Sequence, residues 1–445
     1  MPKVKTTLAI MQPNAAGLDI GAREIWAAVP ADRASESVRC FGTFTRDLEQ
    51  LIAWLQACQV ETVALESTGV YWIPVFELLE QAGLTASLIE PRQLKQVPGR
   101  KSDVLDCQWI QQLHSYGLLT ASFRPDAELR ALRAYLRHRA QLLEHRAPHV
   151  LHIQKALQYM NVQVHHVLSD IMGVTGQKIL RAIVTGERDP HQLATLREPG
   201  CKKHEATIAA ALTGHWQDEY IFVIAQSLAL YDAYTMQIAE CDQTVEKHYA
   251  TLKPRWDGPD TLPDLPPNKP GTQSKNQPTG NVRAQLVRLT GVDIAAVAGI
   301  GPSLAQTILA EVGTDMSKFP TVKHFCSWLG LAPHNDISGG KVLRSRTLKT
   351  DNRAGQAFRQ AAHSNARSQS AFGAYYRRKR AHLGPDQANV ATAHKIARVV
   401  YTMLKNRVPY EATTAAEYDQ QWETRQLAAL KKKAAKLGFT LQPAT

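Results

Sequence analysis

The sequence is short of the features that would take it out of the aqueous interior of a cell. No uninterrupted apolar run approaches the roughly 20 residues a membrane-spanning helix requires. The opening Met-Pro-Lys-Val-Lys-Thr-Thr has no apolar stretch of signal-peptide length behind it, so a cytoplasmic protein with no membrane partner is expected. Cysteine is equally sparse. Cys40, Cys58, Cys107, Cys201, Cys241 and Cys326 show no paired spacing, which argues against a disulfide framework or a zinc ribbon. Cys201 and His204 could share a metal, but no second pair lies nearby to complete four ligands. Acid is the third shortage: 40 Asp and Glu stand against 52 Lys and Arg, a formal charge of +12. That balance favours a polyanionic partner, nucleic acid first.

What is present is enough for several folded units, since 445 residues with a 44% hydrophobic fraction exceed one ordinary core. Residues 15–125 alternate short apolar runs with amphipathic ones, as an α/β domain does. Gly17 to Pro30 reads as a strand and the start of a hairpin returned by Val38 to Thr45. Thr45 then caps a helix whose inner face carries Leu48, Leu51, Ile52 and Leu55. Thr62 to Glu66 and Thr85 to Ile89 read as further strands, with a helix from Tyr71 to Gln81 between them and another from Ser102 to about Tyr116. Residues 126–250 are long helical segments suited to a coiled coil or oligomerisation region. Residues 251–285 are a Pro-rich linker, residues 286–410 a second, mostly helical domain, and residues 411–445 a basic helical tail.

Carboxylates are the first chemical feature. Asp19 interrupts an apolar strand, where a charge is costly unless something positive neutralises it. Glu66 ends a second apolar strand, and Asp103 and Asp106 project from one helical face three residues apart. Four acids from two strands and a helix would suit magnesium or manganese, hard ions that prefer oxygen. Each acid also has a plainer role open to it: Asp103 as a first-turn acid on the helix dipole, Glu66 as a cap on the turn at Ser67, Thr68 and Gly69.

The basic features lie further on. Asp293 to Glu311 reads as a helix-hairpin-helix, with Gly299 and Gly301 letting backbone amides approach a phosphate, or as an ordinary helical hairpin. Between Ile337 and Tyr410 fifteen Lys and Arg face only Asp351 and Asp386. Lys341, Arg344, Arg346, Lys349 and Arg353 belong to this footprint, as do Tyr375, Tyr376, Arg377, Arg378, Lys379 and Arg380, where aromatic and basic groups interleave. Ser338 sits on a glycine-flanked turn among these cations; Ser-Gly-Gly alone indicates no more than a turn.

Taken in order, GLDIG, ALESTGVYW, GRKSDVLDCQW, AGIGPSLAQTILAEVG and HNDISGGKVLRSRTLKTDN resemble the DEDD-type insertion-sequence transposases related to the Piv DNA invertase, also described as bridge-RNA-guided recombinases. The resemblance covers roughly residues 15 to 125 and 286 to 410. It implies a bacterial, nucleoid-associated enzyme with an RNase H-like domain of RuvC type, a coiled coil that assembles dimers or tetramers, and a helical transposase domain. It also implies that Asp19, Glu66, Asp103 and Asp106 hold magnesium or manganese, and that Ser338 is the nucleophile forming a covalent phosphoserine. Donor and target double-stranded DNA and a structured guide RNA would be the partners. The middle, from about Met160 to Arg283, is longer than the compact family pattern. Two rival readings remain: a junction-resolvase type of endonuclease that uses water, and a nucleic-acid scaffold without catalysis. Tyr375 or Tyr376 would be the rival nucleophile.

Overall fold

The computed structural model describes residues 9–66, 69–94, 103–125, 127–256, 258, 265, 275–347 and 350–442, without the side chains of residues 92, 103 and 127. The chain divides into two compact units, residues 1–124 and 125–445.

In the first unit the apolar runs become strands β1 (Ala15–Ile20), β2 (Glu24–Ala28) and β3 (Val38–Gly42), helix α1 (Thr45–Ala57), strand β4 (Thr62–Glu66), helix α2 (Trp72–Gln81), strand β5 (Thr85–Ile89), and helices α3 (Pro91–Leu94) and α4 (Asp103–Ser115). Among the described residues the sheet order is β3-β2-β1-β4-β5, with β1 antiparallel to β2 and parallel to β4. This mixed sheet with helices on it is consistent with an RNase H-like domain. Gly17 to Pro30 thus holds two strands, because Gly21 N–H closes onto Glu24 O at 2.9 Å and reverses the chain early. Thr45 is already helical, and the carboxylate of Asp47 takes the Phe44 N–H at 3.3 Å in place of a threonine cap.

The two faces of the sheet differ in what covers them. Ala16, Leu18 and Ile20 of β1 and Val63 and Leu65 of β4 pack with Leu51 and Leu55 of α1 and Leu79 of α2. Ala64 and Ile89 turn to the other face and meet Ile110 of α4. Period-two alternation therefore places Gly17, Asp19 and Glu66 on the α4 side.

The second unit begins with two long helices, α5 (Ala127–Tyr159) and, after α6 to α9 (Val164–Val167, Val174–Val184, Pro190–Thr195 and Glu205–Leu212), α10 (Asp218–Thr251). They run antiparallel: Tyr135 meets His248, Arg139 meets Asp242, His149 meets Tyr234 and Tyr159 meets Tyr220. The long helices expected to form a coiled coil thus pair with each other inside one chain. The buried Arg139–Asp242 pair, with Nη2 donating to Oδ2 at 3.2 Å, fixes their register, since a slip by one turn would strand two charges without partners. Helices α6 to α9 close the far end around Ile179, Leu180, Ile208 and Leu212.

The remainder comprises α11 (Val282–Thr290), α12 (Pro302–Val312), α13 (Val322–Trp328), a hairpin of β6 (Pro333–Ser338) and β7 (Lys341–Thr347), α14 (Arg353–Ser364), α15 (Ala371–Leu383), α16 (Pro385–Asn406) and α17 (Ala415–Lys436). Thr414 caps α17 reciprocally with Glu417, so the tail helix starts where its sequence sets it. Part of the Pro-rich stretch lies outside the described residues. Its last residues rest against the long helices, Thr279 N–H donating to Asp242 at 3.2 Å.

Candidate active site

Asp19 and Glu66 occupy the C-terminal ends of adjacent parallel strands. The register that pairs Leu18 with Leu65 sets them side by side one residue further on. Both are partly exposed, as is Asp106 near the start of α4. Helix α4 lies close on β1 because Gly17 has no side chain: a Cβ there would stand 2.3 Å from Gln111 N and 2.5 Å from Cys107 O. The far end of α4 is tied down by His114, whose ring lies 2.9 Å from the Thr62 hydroxyl. Burial lowers the His114 pKa, which favours the neutral ring.

Two of the acids bear on one buried thiol. Cys107 is fully buried, and its thiol is pushed up to about 12, first by burial and then by the charges of Asp19 and Asp106. Both carboxylates therefore act on one point of the α4–β1 seam. The backbone of Asp103 begins α4 as expected, but its side chain lies outside the described residues. Among the described residues no three His, Cys, Asp or Glu side chains form a group that could hold a metal ion. The donor chemistry nevertheless fits a hard divalent cation, since Asp19, Glu66 and Asp106 offer only carboxylate oxygen.

Gly17 gives a direct test of this geometry. Gly17→Ala must push α4 from β1 and is expected to cost about 1–3 kcal/mol. Peptide-resolved hydrogen exchange should show faster opening of β1 and α4 while α5 and α10 keep their protection. Unchanged exchange in β1 and α4 would mean the helix does not depend on that contact.

Ser338 is the last residue of β6, directly before the turn of a hairpin that stands in a region read from sequence as helical. Gly339 and Gly340 have φ of 55° and 76°, the left-handed pair a two-residue turn needs. Both strands are exposed almost throughout, and Lys341, Arg344 and Arg346 follow Ser338 along β7. A register shift between Asp336 and Ile337 adds one residue to β7, which twists the tip. Ile337 and Leu343 remain 63% and 71% exposed, so the hairpin presents apolar as well as basic surface.

The helix-hairpin-helix is altered in its first half. A single 3-10 turn, Ile294–Ala296, precedes the Gly turn where a helix was expected, because Asp293 Oδ1 accepts the Ala295 N–H and closes the backbone tightly. Gly299, with φ of 88°, packs against α14: its Cβ would lie 2.1 Å from Asn365 Nδ2. Gly301 caps α12 with open space beside it. Arg353 is exposed at the start of α14 and lines a cavity of about 410 Å³ together with Arg133 and Arg137. There the buried Glu311 is held by Arg133 and Arg137, each with an N–O distance of 2.9 Å. Lys349 lies outside the described residues.

The aromatic and basic run on α15 separates into different roles. Tyr376 is only 4% exposed and packs in the helical core, so it offers no face to a base. Tyr375 is half-buried against Tyr418, and burial raises its phenol pKa, which disfavours the phenolate a tyrosine nucleophile would need. Arg377 donates to Ser368 O at 2.8 Å, Arg378 pairs with Asp419, Lys379 lies over the Tyr375 ring, and Arg380 is exposed. Lys395 and Arg398 on α16 and Arg425 on α17 join this group, though their distant positions hid them from a reading of local runs.

Two family descriptions match the chain. One, described as "Transposase", the DEDD type of IS110, matches residues 16–162, and the other, "Transposase IS116/IS110/IS902 family", matches residues 293–377. The first spans the sheet and α4, the second the Gly turn, the hairpin and most of α15. The chain belongs to the IS110 transposase family. Among curated proteins, a Streptomyces coelicolor mini-circle protein named as a transposase for IS117 is 34% identical over 84 residues, 19% of this chain. The chain spans about one-fifth (20%) of the length of that relative. Both matched regions of this IS110 member contain the residues singled out from sequence, Asp19, Glu66, Asp103 and Asp106 in one and Ser338 in the other.

Proposed function

We propose that this IS110-family chain is a DNA transposase that cuts and rejoins strands through Ser338. The observation that carries the reading is the presence, in one chain, of carboxylates at the ends of adjacent parallel strands and a serine at the tip of an exposed basic hairpin. In the cutting step Ser338 Oγ bonds to phosphorus and its proton leaves to a base or to solvent. The bond from phosphorus to the departing sugar oxygen breaks, and that oxygen takes up a proton. A hydroxyl of the incoming strand then attacks the phosphoserine, which restores the serine and seals the junction. One phosphoester replaces another at each step, so no high-energy cofactor is required.

Asp19, Glu66, Asp103 and Asp106 would hold magnesium or manganese. Such an ion supplies positive charge to the phosphoryl oxygens when bound. The residues of the chain do the rest: Lys341, Arg344 and Arg346 attract the phosphate, and the two-glycine turn leaves Ser338 Oγ clear of bulky neighbours.

Duplex donor and target DNA are the proposed substrates, with a structured RNA choosing the sites. The domain limits, 15–125, 126–250, 251–285, 286–410 and 411–445, and a cytoplasmic, nucleoid-associated location belong to the same proposal. Leu151, Phe222, Leu230 and Met236 leave apolar surface on α5 and α10 that a second copy would cover, which favours a dimer or tetramer. Purifying the protein with its bound nucleic acid and sequencing any RNA tests the guide. A single structured RNA species is the expected product, and efficient site-specific joining by nuclease-treated, RNA-free protein would remove the guide from the mechanism.

A further inference from the structure

The corner formed by α15, α16 and α17 holds a charge cluster that the reaction above does not use. Lys395 Nζ lies 4.0 Å from the Tyr418 ring centre and 4.6 Å from that of Tyr375. The Arg378 guanidinium stands over Trp422 at 4.1 Å and over Tyr418 at 5.3 Å. Burial, then the charges of Arg425, Arg378 and Arg398, lowers the Lys395 ammonium to about 8. Asp419 pairs with Arg378, while among the described residues no carboxylate pairs with Lys395, Arg398 or Arg425. Four cations gathered beside two acids, Asp419 and Glu411 at the cavity rim, repel one another, and an anion would offset that repulsion.

A cavity of about 670 Å³ adjoins the cluster. Lys395 and Arg398 form its charged wall, and Val399, Met403, Pro409 and Tyr410 its apolar one. The Tyr410 ring is held nearly parallel to Phe372, 13° between planes, so the apolar wall includes a fixed flat surface. Size and lining suit a small organic group with one anionic end.

We propose that this corner is a nucleotide subsite, in which the cations take a backbone phosphate and the cavity takes the unstacked base of a single strand of DNA or RNA. Phosphate and base are covalently joined, and so are the two chemistries of the site. A base inside a duplex is stacked and paired and cannot enter, so the occupant is an unpaired strand. Glu411 on the rim gives the cavity an acceptor for an exocyclic amine.

Binding can be tested apart from catalysis, using the full-length chain in EDTA with Ser338→Ala in the background. The probes are fluorescein-labelled oligonucleotides of about 12 nucleotides: single-stranded DNA, the same strand with abasic sites, single-stranded RNA and a blunt duplex, read by anisotropy. Arg398 and Val408 are both exposed, so Arg398→Glu and Val408→Trp should fold normally, which thermal melts will verify. Arg398→Glu is expected to weaken single-strand binding about ten-fold. Val408→Trp, which fills the cavity without changing charge, should weaken an intact single strand by a similar factor and leave both duplex and an abasic single strand unchanged. The larger loss, on DNA or on RNA, identifies the source of the strand. If Val408→Trp leaves single-strand affinity intact, or weakens duplex equally, the proposal fails and the corner is only a basic surface.

Discussion

Ser338→Ala is expected to abolish covalent protein–DNA adducts and to lower strand joining by at least about 10³-fold. The hydroxyl is at the tip of an exposed hairpin with open space around both turn glycines, so its removal creates no cavity and disturbs no packing. Stability should therefore stay within about 0.5 kcal/mol of the parent. DNA affinity should also persist, because Lys341, Arg344 and Arg346 are untouched and phosphate contacts dominate affinity. Denaturing gels of radiolabelled DNA, run after quenching in detergent, separate the two possibilities. Adducts that survive in the alanine variant would exclude Ser338 and return attention to Tyr375, despite its raised pKa. Products with a free 5′ phosphate and no attached protein from the parent enzyme would favour hydrolysis by water.

Asp19→Asn should reduce strand cleavage on the order of 10³-fold while leaving the first unit folded. The side chains are nearly the same size, and Asp19 is partly exposed at the end of its strand, so the change removes charge more than shape. The readout that a structural role would not move is the effect of magnesium on the melting temperature. An ion bound only by the folded protein adds about 2.7 kcal/mol when present at 100 times its dissociation constant. The parent should show that rise and Asp19→Asn should not. Equal magnesium stabilisation in both proteins would sever Asp19 from any metal.

Much of the first unit was legible because its strands, β3 apart, are buried on one or both faces. A run such as TVALE has few alternatives to a strand, and its parity then decides that Glu66 shares a face with Ala64. The spacing of Leu48, Leu51 and Leu55 sets the inward side of α1 in the same way. The second unit was harder. The hairpin around Ser338 has no buried face, so it carries no hydrophobic period; its one local sign is the Gly-Gly pair, whose positive φ angles suit a two-residue turn. The aromatic run misled differently, since Tyr375 and Tyr376 look equivalent in sequence and are separated only by which side of α15 meets the core.

By itself, then, the sequence determined the local elements, the basic character of the second half, and the acids and serine that carry the resemblance to IS110 transposases. These follow from periodicity, turn chemistry and charge, which act over a few residues. Tertiary structure alone decided that α5 pairs with α10 through Arg139 and Asp242, that Gly17 lets α4 ride on β1, and that Lys395 gathers with Arg378, Arg398 and Arg425. Those contacts join residues far apart in the chain, and no local propensity encodes a neighbour that only folding supplies.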